Sequence, residues 1–379
     1  MNLKKNFFIL TLSLLILLSG VSVYYSIYNA LKDGGSPDLY HIYHSTLLFL
    51  NKINPYEGSG YIEFTVPPYS HGVFLIYSPI ASLDYEFAKI LWLLLNILST
   101  IVVLFIFSRF SKLTYAENIL ISLIFFGSLP FRNCIGSGQN SILILFIFCA
   151  FFIKNKNFKI FILGFSFIKY SFSVVTLFYL LIKYNLKYLI VSLFIVIASW
   201  LIFSLKINQN IIHTLFQPLQ IISTSFAFGF ERGDLLTILN NINKPALINN
   251  LNIINIFLCL CFGLFLSIQI MKASINNKLL IVSLLAIANL SIVPHIIYDY
   301  VFLLPSLFYS WKYKKSVFGV ISIGIIFYFW FGIQIIDYLN YYIFSFPELN
   351  PIPSITQKVI NFIMLLILFY SNLSLKKIK

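Results

Sequence analysis

Apolar runs of a dozen to some twenty residues recur along the whole chain, separated by short clusters of Lys and Arg. That pattern constrains the fold more than anything else here. A helix that crosses a bilayer needs about 20 mostly apolar residues, and a chain of 379 residues that is 59% hydrophobic and 10% charged is outside the range of ordinary soluble domains. The expected class is an all-α integral membrane protein: a single polytopic domain over residues 1–379 with about 12 transmembrane helices and both ends inside. The spans run Phe7–Tyr28, Ala88–Phe107, Asn118–Leu129, Ile142–Ile153, Ile160–Ile168, Phe172–Ile182, Tyr188–Leu205, Ile253–Ile270, Leu279–Val293, Tyr300–Trp311, Val317–Ile336 and Ile355–Tyr370. The fifth and sixth are short and meet at Lys169, as a hairpin that only partly crosses would. The first is read as a retained span, because its apolar run is longer than a signal core and lacks a small-residue cleavage site.

The net charge of +14 does not point to nucleic acid. The cations fall in short clusters between apolar runs, as the positive-inside rule expects, and no basic face on a water-exposed domain is visible. Cys134, Cys149, Cys259 and Cys261 have neither metal-ligand nor paired spacing. Of the 12 carboxylates and five histidines, the topology leaves only Glu117 on the inner side. Such gathering of proton-transfer groups implies an active outer face, built from the outer segments 29–87 and 206–252. A third outer segment, Asp337–Ser354, is rich in Tyr, Phe and Pro. Long loops on one side mark function or binding there.

Asp38 is the centre of that face. Ser36-Pro37-Asp38 reads as a helix start, with Ser at the cap and Pro in the first position. Leu39, Ile42, Tyr43 and Leu47 then recur at helical spacing, giving an amphipathic helix on the membrane surface that ends near Asn54-Pro55. An acid in a first turn also complements the helix dipole; its place at the membrane edge beside His41 favours a general base. Arg132 and Gly138-Gln139-Asn140 stand at the outer end of a hairpin, where Gln139 and Asn140 supply paired donors and acceptors for hydroxyls. A plain tight turn is the plainer account of that segment. Lys169, flanked by apolar sequence, is either a partner for a lipid phosphate or a snorkelling boundary residue. His295 and Asp299 are four apart and would share a helix face. His41, His44 and Asp38 make only a thin metal-ligand set, so neither metal nor cofactor is expected. No nucleotide-binding or serine-nucleophile motif is present.

Asp38 after the first span, Asn54-Pro55-Tyr56, Pro67-Pro68, Pro79, Trp92 and Gly138-Gln139-Asn140 together resemble glycosyltransferase family 87 over roughly residues 1–310. These are polytopic C-type glycosyltransferases that include bacterial polyprenyl-phosphate-mannose-dependent mannosyltransferases. The resemblance implies a bacterial plasma-membrane (inner-membrane) enzyme of the cell envelope. It would move a mannose-like hexose from a polyprenyl-phosphate carrier to a lipid or glycan acceptor on the outer face. Asp38 would be the base, Lys169, Arg132 and His295 would bind the donor phosphate, and His41, Gln139, Asn140 and Asp299 would bind substrate. The pattern departs at three places: Asn140 follows Gln139 directly, Tyr170 stands where a proline follows the lysine, and the late element keeps Pro294 with His295 and Asp299 nearby. The alternatives are a lipid-linked-sugar flippase or polysaccharide exporter, which should carry polar groups along a path through the membrane, and a ligase- or polymerase-like enzyme. The latter should place Arg and His in a late outer loop, and Asp337–Ser354 has neither.

Overall fold

A computed structural model describes residues 2–57, 69–169, 172–184, 186–225, 233–242, 249–336, 339 and 354–377. Glu63, Pro67-Pro68, Tyr170, Glu231, Arg232 and nearly all of the segment Asp337–Ser354 lie outside the described residues. Every regular element among the described residues is helical: α1 Asn2–Leu31, α2 Pro37–Leu50, α3 Gly72–Ala81, α4 Tyr85–Ser111, α5 Tyr115–Gly127, α6 Leu129–Gly136, α7 Ser141–Phe148, α8 Lys156–Gly164, α9 Val174–Lys183, α10 Leu186–Ile207, α11 Ile211–Ser225, α12 Leu235–Ile242, α13 Asn249–Lys272, α14 Lys278–Ile292, α15 Leu304–Trp311, α16 Val317–Phe327 and α17 Ile355–Leu375. Short 3-10 turns at Cys149–Phe152, Phe165–Ile168 and Ile297–Leu303 join or extend them.

Among the described residues, six helices are long and apolar enough to cross a bilayer, or seven if the bent pair α5 and α6 counts as one span. The chain is therefore a multi-pass membrane protein, but the expected dozen is not what the lengths show. The difference has a physical cause. Hydropathy reports removal from water, and protein removes a segment from water as well as lipid does. Every residue of α14 from Leu279 to Ile292 is buried, so this 15-residue helix is wrapped on all sides by protein. The segment read as Tyr300–Trp311 is a 3-10 turn followed by the eight-residue α15, with every residue from Leu304 to Ser310 buried. The expected span Asn118–Leu129 breaks at Ser128, where α5 and α6 meet at 58°. The expected short fifth and sixth spans are the brief helices α8 and α9.

By contrast, α4 and α10 turn large apolar side chains outward, among them Leu94, Leu98, Ile101 and Phe105, and Ile190, Phe194 and Leu205. In a membrane protein those faces meet lipid. The arrangement has two ends. Helix α4 is 27 residues long, about 40 Å at 1.5 Å per residue. Its first residue, Tyr85, donates from its hydroxyl to Gly35 O at 3.1 Å. Near its last turn, the Phe110 ring meets Phe152 at 4.3 Å. Asp38 therefore sits at one end of the bundle, and Phe152 with its neighbours at the other.

Candidate active site

Helix α2 starts at Pro37, where the sequence places it, but its cap is not the expected one. Ser36 has a left-handed backbone (φ 53°) and makes no side-chain cap; its Oγ donates to Ala30 O at 3.0 Å. The N–H groups of Asp38 and Leu39 donate instead to Ser137 O, at 3.0 and 3.3 Å. A carbonyl from the α6–α7 turn thus closes the helix and sets Asp38 beside Gln139. Gly138 makes this approach possible. Its φ is +70°, and a Cβ there would lie 2.8 Å from Leu39 Cβ and 3.0 Å from Ser36 Cβ. The Trp92 indole donates to Gly138 O at 2.8 Å and fixes the turn from α4. Of the expected apolar stripe of α2, Leu39, Ile42 and Tyr43 are buried and Leu47 partly so, packed with Phe49 on a cluster that includes Phe74, Tyr77 and Trp92. The helix ends at Leu50, before Asn54-Pro55.

Asp38 is half-buried. Desolvation pushes its carboxyl above the usual carboxylate range, and Asp299 adds to this; the Gln139 hydrogen bond, Lys169 and His41 pull the other way. His41 is half-buried, and desolvation holds its imidazole below its ordinary value against the attraction of Asp38. Gln139 is 1% exposed, and its Oε1 has no hydrogen-bond partner among the described residues. Asn140 adjoins the Tyr77 hydroxyl.

Lys169 interrupts the helices after the 3-10 turn Phe165–Ile168. The carbonyls freed there are satisfied locally, since Ser173 Oγ donates to Ser166 O and Lys169 O. Such a break is tolerated at membrane depth because protein surrounds it. The ammonium donates to Asp299 Oδ1 at 2.9 Å and Ser141 Oγ at 3.1 Å, and Ser141 donates to the same Oδ1 at 2.6 Å. The rings of Phe172 and Tyr298 flank it at 4.9 and 5.3 Å. Lys169 is therefore an ion-paired interior cation rather than a snorkelling one. The His295–Asp299 spacing does not produce the expected shared face. The helical turn begins only at Ile297, so Asp299 closes that turn through Ile296 N at 3.2 Å and faces Lys169. His295 is buried with its ring 5.0 Å from Tyr300.

Asp38, His41, Gln139, Lys169 and Asp299 thus form one neighbourhood. The half-buried Arg132 guanidinium, on the neighbouring helix α6, has no ion pair among the described residues. His44 meets the Tyr40 ring edge-on, with ring centroids 4.0 Å apart. Among the described residues no three His, Cys, Asp or Glu side chains are placed to hold a metal ion. The sequence reading missed Ser141 and Tyr298 as site members; Ser141 directly follows Gly138-Gln139-Asn140, and Tyr298 directly precedes Asp299. Asn54-Pro55-Tyr56 is a latch. Asn54 Nδ2 donates to Gln209 Oε1 at 2.7 Å, Gln209 and Gln217 each donate to Glu57 at 2.8 Å, and Tyr56 Oη donates to Tyr69 O at 2.8 Å. It ties the first segment to the 206–252 segment.

Fold and site together define a multi-pass membrane protein with a half-buried acid set against a buried lysine–aspartate pair. The profile of glycosyltransferase family 87 matches residues 64–290, well over half of the chain, which therefore belongs to that family and is a membrane glycosyltransferase. The match includes Arg132, Gln139, Asn140 and Lys169; Asp38, His41, His295 and Asp299 fall outside it. No curated protein and no solved structure matches the chain.

Proposed function

We propose that the enzyme transfers a hexose, mannose-like, from a polyprenyl-phosphate carrier to a lipid or glycan acceptor, with inversion at the anomeric carbon. The acceptor oxygen bonds to that carbon and gives its proton to Asp38, while the carbon–oxygen bond to the carrier phosphate breaks. Phosphate leaves as an anion and needs no acid. The observation that carries this reading is the half-buried, desolvated Asp38 carboxyl beside Gln139 and within electrostatic reach of Lys169. A desolvated carboxylate binds a proton more strongly than a solvated one, which suits a general base.

Lys169 spends two of its three N–H donors on Ser141 and Asp299, which leaves one for a phosphate oxygen. Asp299 is then a positioning residue that holds Lys169. The donor's charge also raises the proton affinity of Asp38, so donor binding strengthens the base. The orphan Gln139 Oε1 suits a sugar hydroxyl donor. His295 and Arg132 are secondary phosphate ligands in this proposal, and His41 and Asn140 contact substrate. The site faces away from the cytoplasm across a bacterial plasma membrane: Asp33, Asp84 and Glu86 share its end of the bundle, and lysines crowd the other.

The test is sugar transfer in membranes supplied with labelled polyprenyl-phosphate hexoses, wild type against Asp38→Asn. Transfer that persists at full rate in a normally folded variant removes Asp38 as the base. No transfer from any carrier by wild type removes the donor class.

A further inference from the structure

The end of the bundle remote from Asp38 carries a second organised cluster, used by nothing above. Lys156 and Lys159 come from α8, Lys183 closes α9, and Lys278 opens α14. Lys278 Nζ donates to Phe152 O at 3.1 Å and Lys183 Nζ to the Tyr179 hydroxyl at 2.6 Å. The Tyr184 ring lies between two of the cations, 4.7 Å from Lys156 and 5.9 Å from Lys183; Lys156 also lies 3.8 Å from the Tyr188 ring. Lys159 is within electrostatic reach of both Lys183 and Lys278. Among the described residues none of these four lysines has a carboxylate partner.

Like charges drawn together from three chain segments repel. Tyrosine faces offset that only in part, because a cation–π contact is weak where water reaches it. An anion between the ammonium groups removes the repulsion. The surroundings say what kind of anion. Leu181, Ile182, Leu186, Ile190 and Phe158 are exposed next to the cluster and continue along α9, α10 and α8. A charged head with an apolar track leading from it matches an amphiphile.

We propose that Lys159, Lys183 and Lys278, with Lys156 on its tyrosine platform, bind the phosphodiester headgroup of an acidic phospholipid whose acyl chains lie against α10. Basic pockets between transmembrane helices hold acidic headgroups by the same chemistry. The site is separated from Asp38 by about the length of α4, so its occupancy stabilises the bundle without entering the transfer reaction.

The experiment uses the full chain, stripped of lipid in neutral detergent and titrated with phosphatidylglycerol or phosphatidylcholine. Retained lipid is counted by native mass spectrometry and the unfolding temperature followed. Wild type should retain phosphatidylglycerol and be stabilised by it, and phosphatidylcholine should do neither. Lys159→Gln/Lys183→Gln/Lys278→Gln should weaken retention at least tenfold, and the triple Lys→Arg variant should keep it. Lys112→Gln/Lys315→Gln, which removes two cations from the same end outside the cluster, should behave as wild type. Equal retention by wild type and the triple Gln variant overturns the site. Loss in the Arg variant as well overturns a charge-based role. Displacement by millimolar inorganic phosphate, with no dependence on acyl chains, overturns the lipid and leaves a soluble phosphate ligand. Sugar transfer in the triple Gln variant, restored to a lipid mixture, should equal wild type, so failure here is distinct from failure of the transferase reading.

Discussion

The two ends of the bundle treat charge in opposite ways. At the Asp38 end, Lys169 and Asp299 are buried, the Asp38 carboxyl is half-buried and desolvated, and hydrogen bonds join the three to Gln139 and Ser141. At the other end, lysines stand in a partly exposed group over tyrosine rings, and Glu117 meets Lys314 in a half-exposed ion pair. The first arrangement costs folding free energy, because charges leave water. It returns a low-dielectric place where a carboxylate binds protons strongly. The second costs little and supplies sidedness. Chemistry belongs where the fold has accepted the cost of desolvation.

The largest expected effect tests that statement at Asp38. Asp38→Asn should lower transfer by about 10²–10⁴-fold, the usual contribution of a positioned base. It should not lower stability. The folded-state pKa of Asp38 is raised, so its contribution to stability is fully present below the unfolded value and is lost as pH rises through the folded one. At neutral pH the neutral amide avoids that loss, and the unfolding temperature should stay level or rise. By the same shift, wild-type transfer should fall on acidification at a pH above the ordinary carboxylate range. A mutant that loses activity and stability together would mean that Asp38 is structural.

Next comes the ion pair. Lys169→Met leaves the Asp299 carboxylate buried without its cation, a loss of about 3–5 kcal/mol. Lys169→Met with Asp299→Asn should recover much of the stability by chemical unfolding in detergent, yet transfer should stay low. Recovery of both would show that the pair serves packing alone. Gly138→Ala ranks third. A side chain at φ +70° that meets Leu39 Cβ at 2.8 Å should cost about 1–3 kcal/mol and pull α2 from Ser137. Because Asp38 rides on α2, transfer should fall by more than stability alone explains.

What the sequence revealed of this site follows the range of the forces involved. Pro37 in a first turn and the apolar stripe Leu39, Ile42, Tyr43 are local signals, and α2 stands where they place it. The Lys169–Asp299 and Ser141–Asp299 contacts join residues 130 and 158 positions apart, and no spacing rule reaches that far. The i,i+4 rule misled at His295 because it presupposes a helix, and here the helical turn starts after that residue. Hydropathy does not separate α14 and α15, which are wrapped by protein, from the lipid-facing helices, because the two kinds are equally apolar. Gly138-Gln139-Asn140 was visible as a turn, but its use as the cap of α2 depends on a tertiary approach.

The smallest effect is expected at the opposite end, and it is the sharpest check on the contrast. Glu117 also closes the capping box of α5 with Thr114, so the clean probe of its ion pair is the cation. Lys314→Gln removes a pair whose partners are 42% and 23% exposed. Solvent screens such a pair, and measured values for exposed pairs run from about 0.2 to 1 kcal/mol. Stability should therefore change by less than about 1 kcal/mol, shrink further at high salt, and leave transfer untouched. A loss as large as that of Lys169→Met would mean that this end is as desolvated as the other. Exposure to water would then no longer separate the two, and the placement of the chemistry would have to rest on hydrogen-bond connectivity alone.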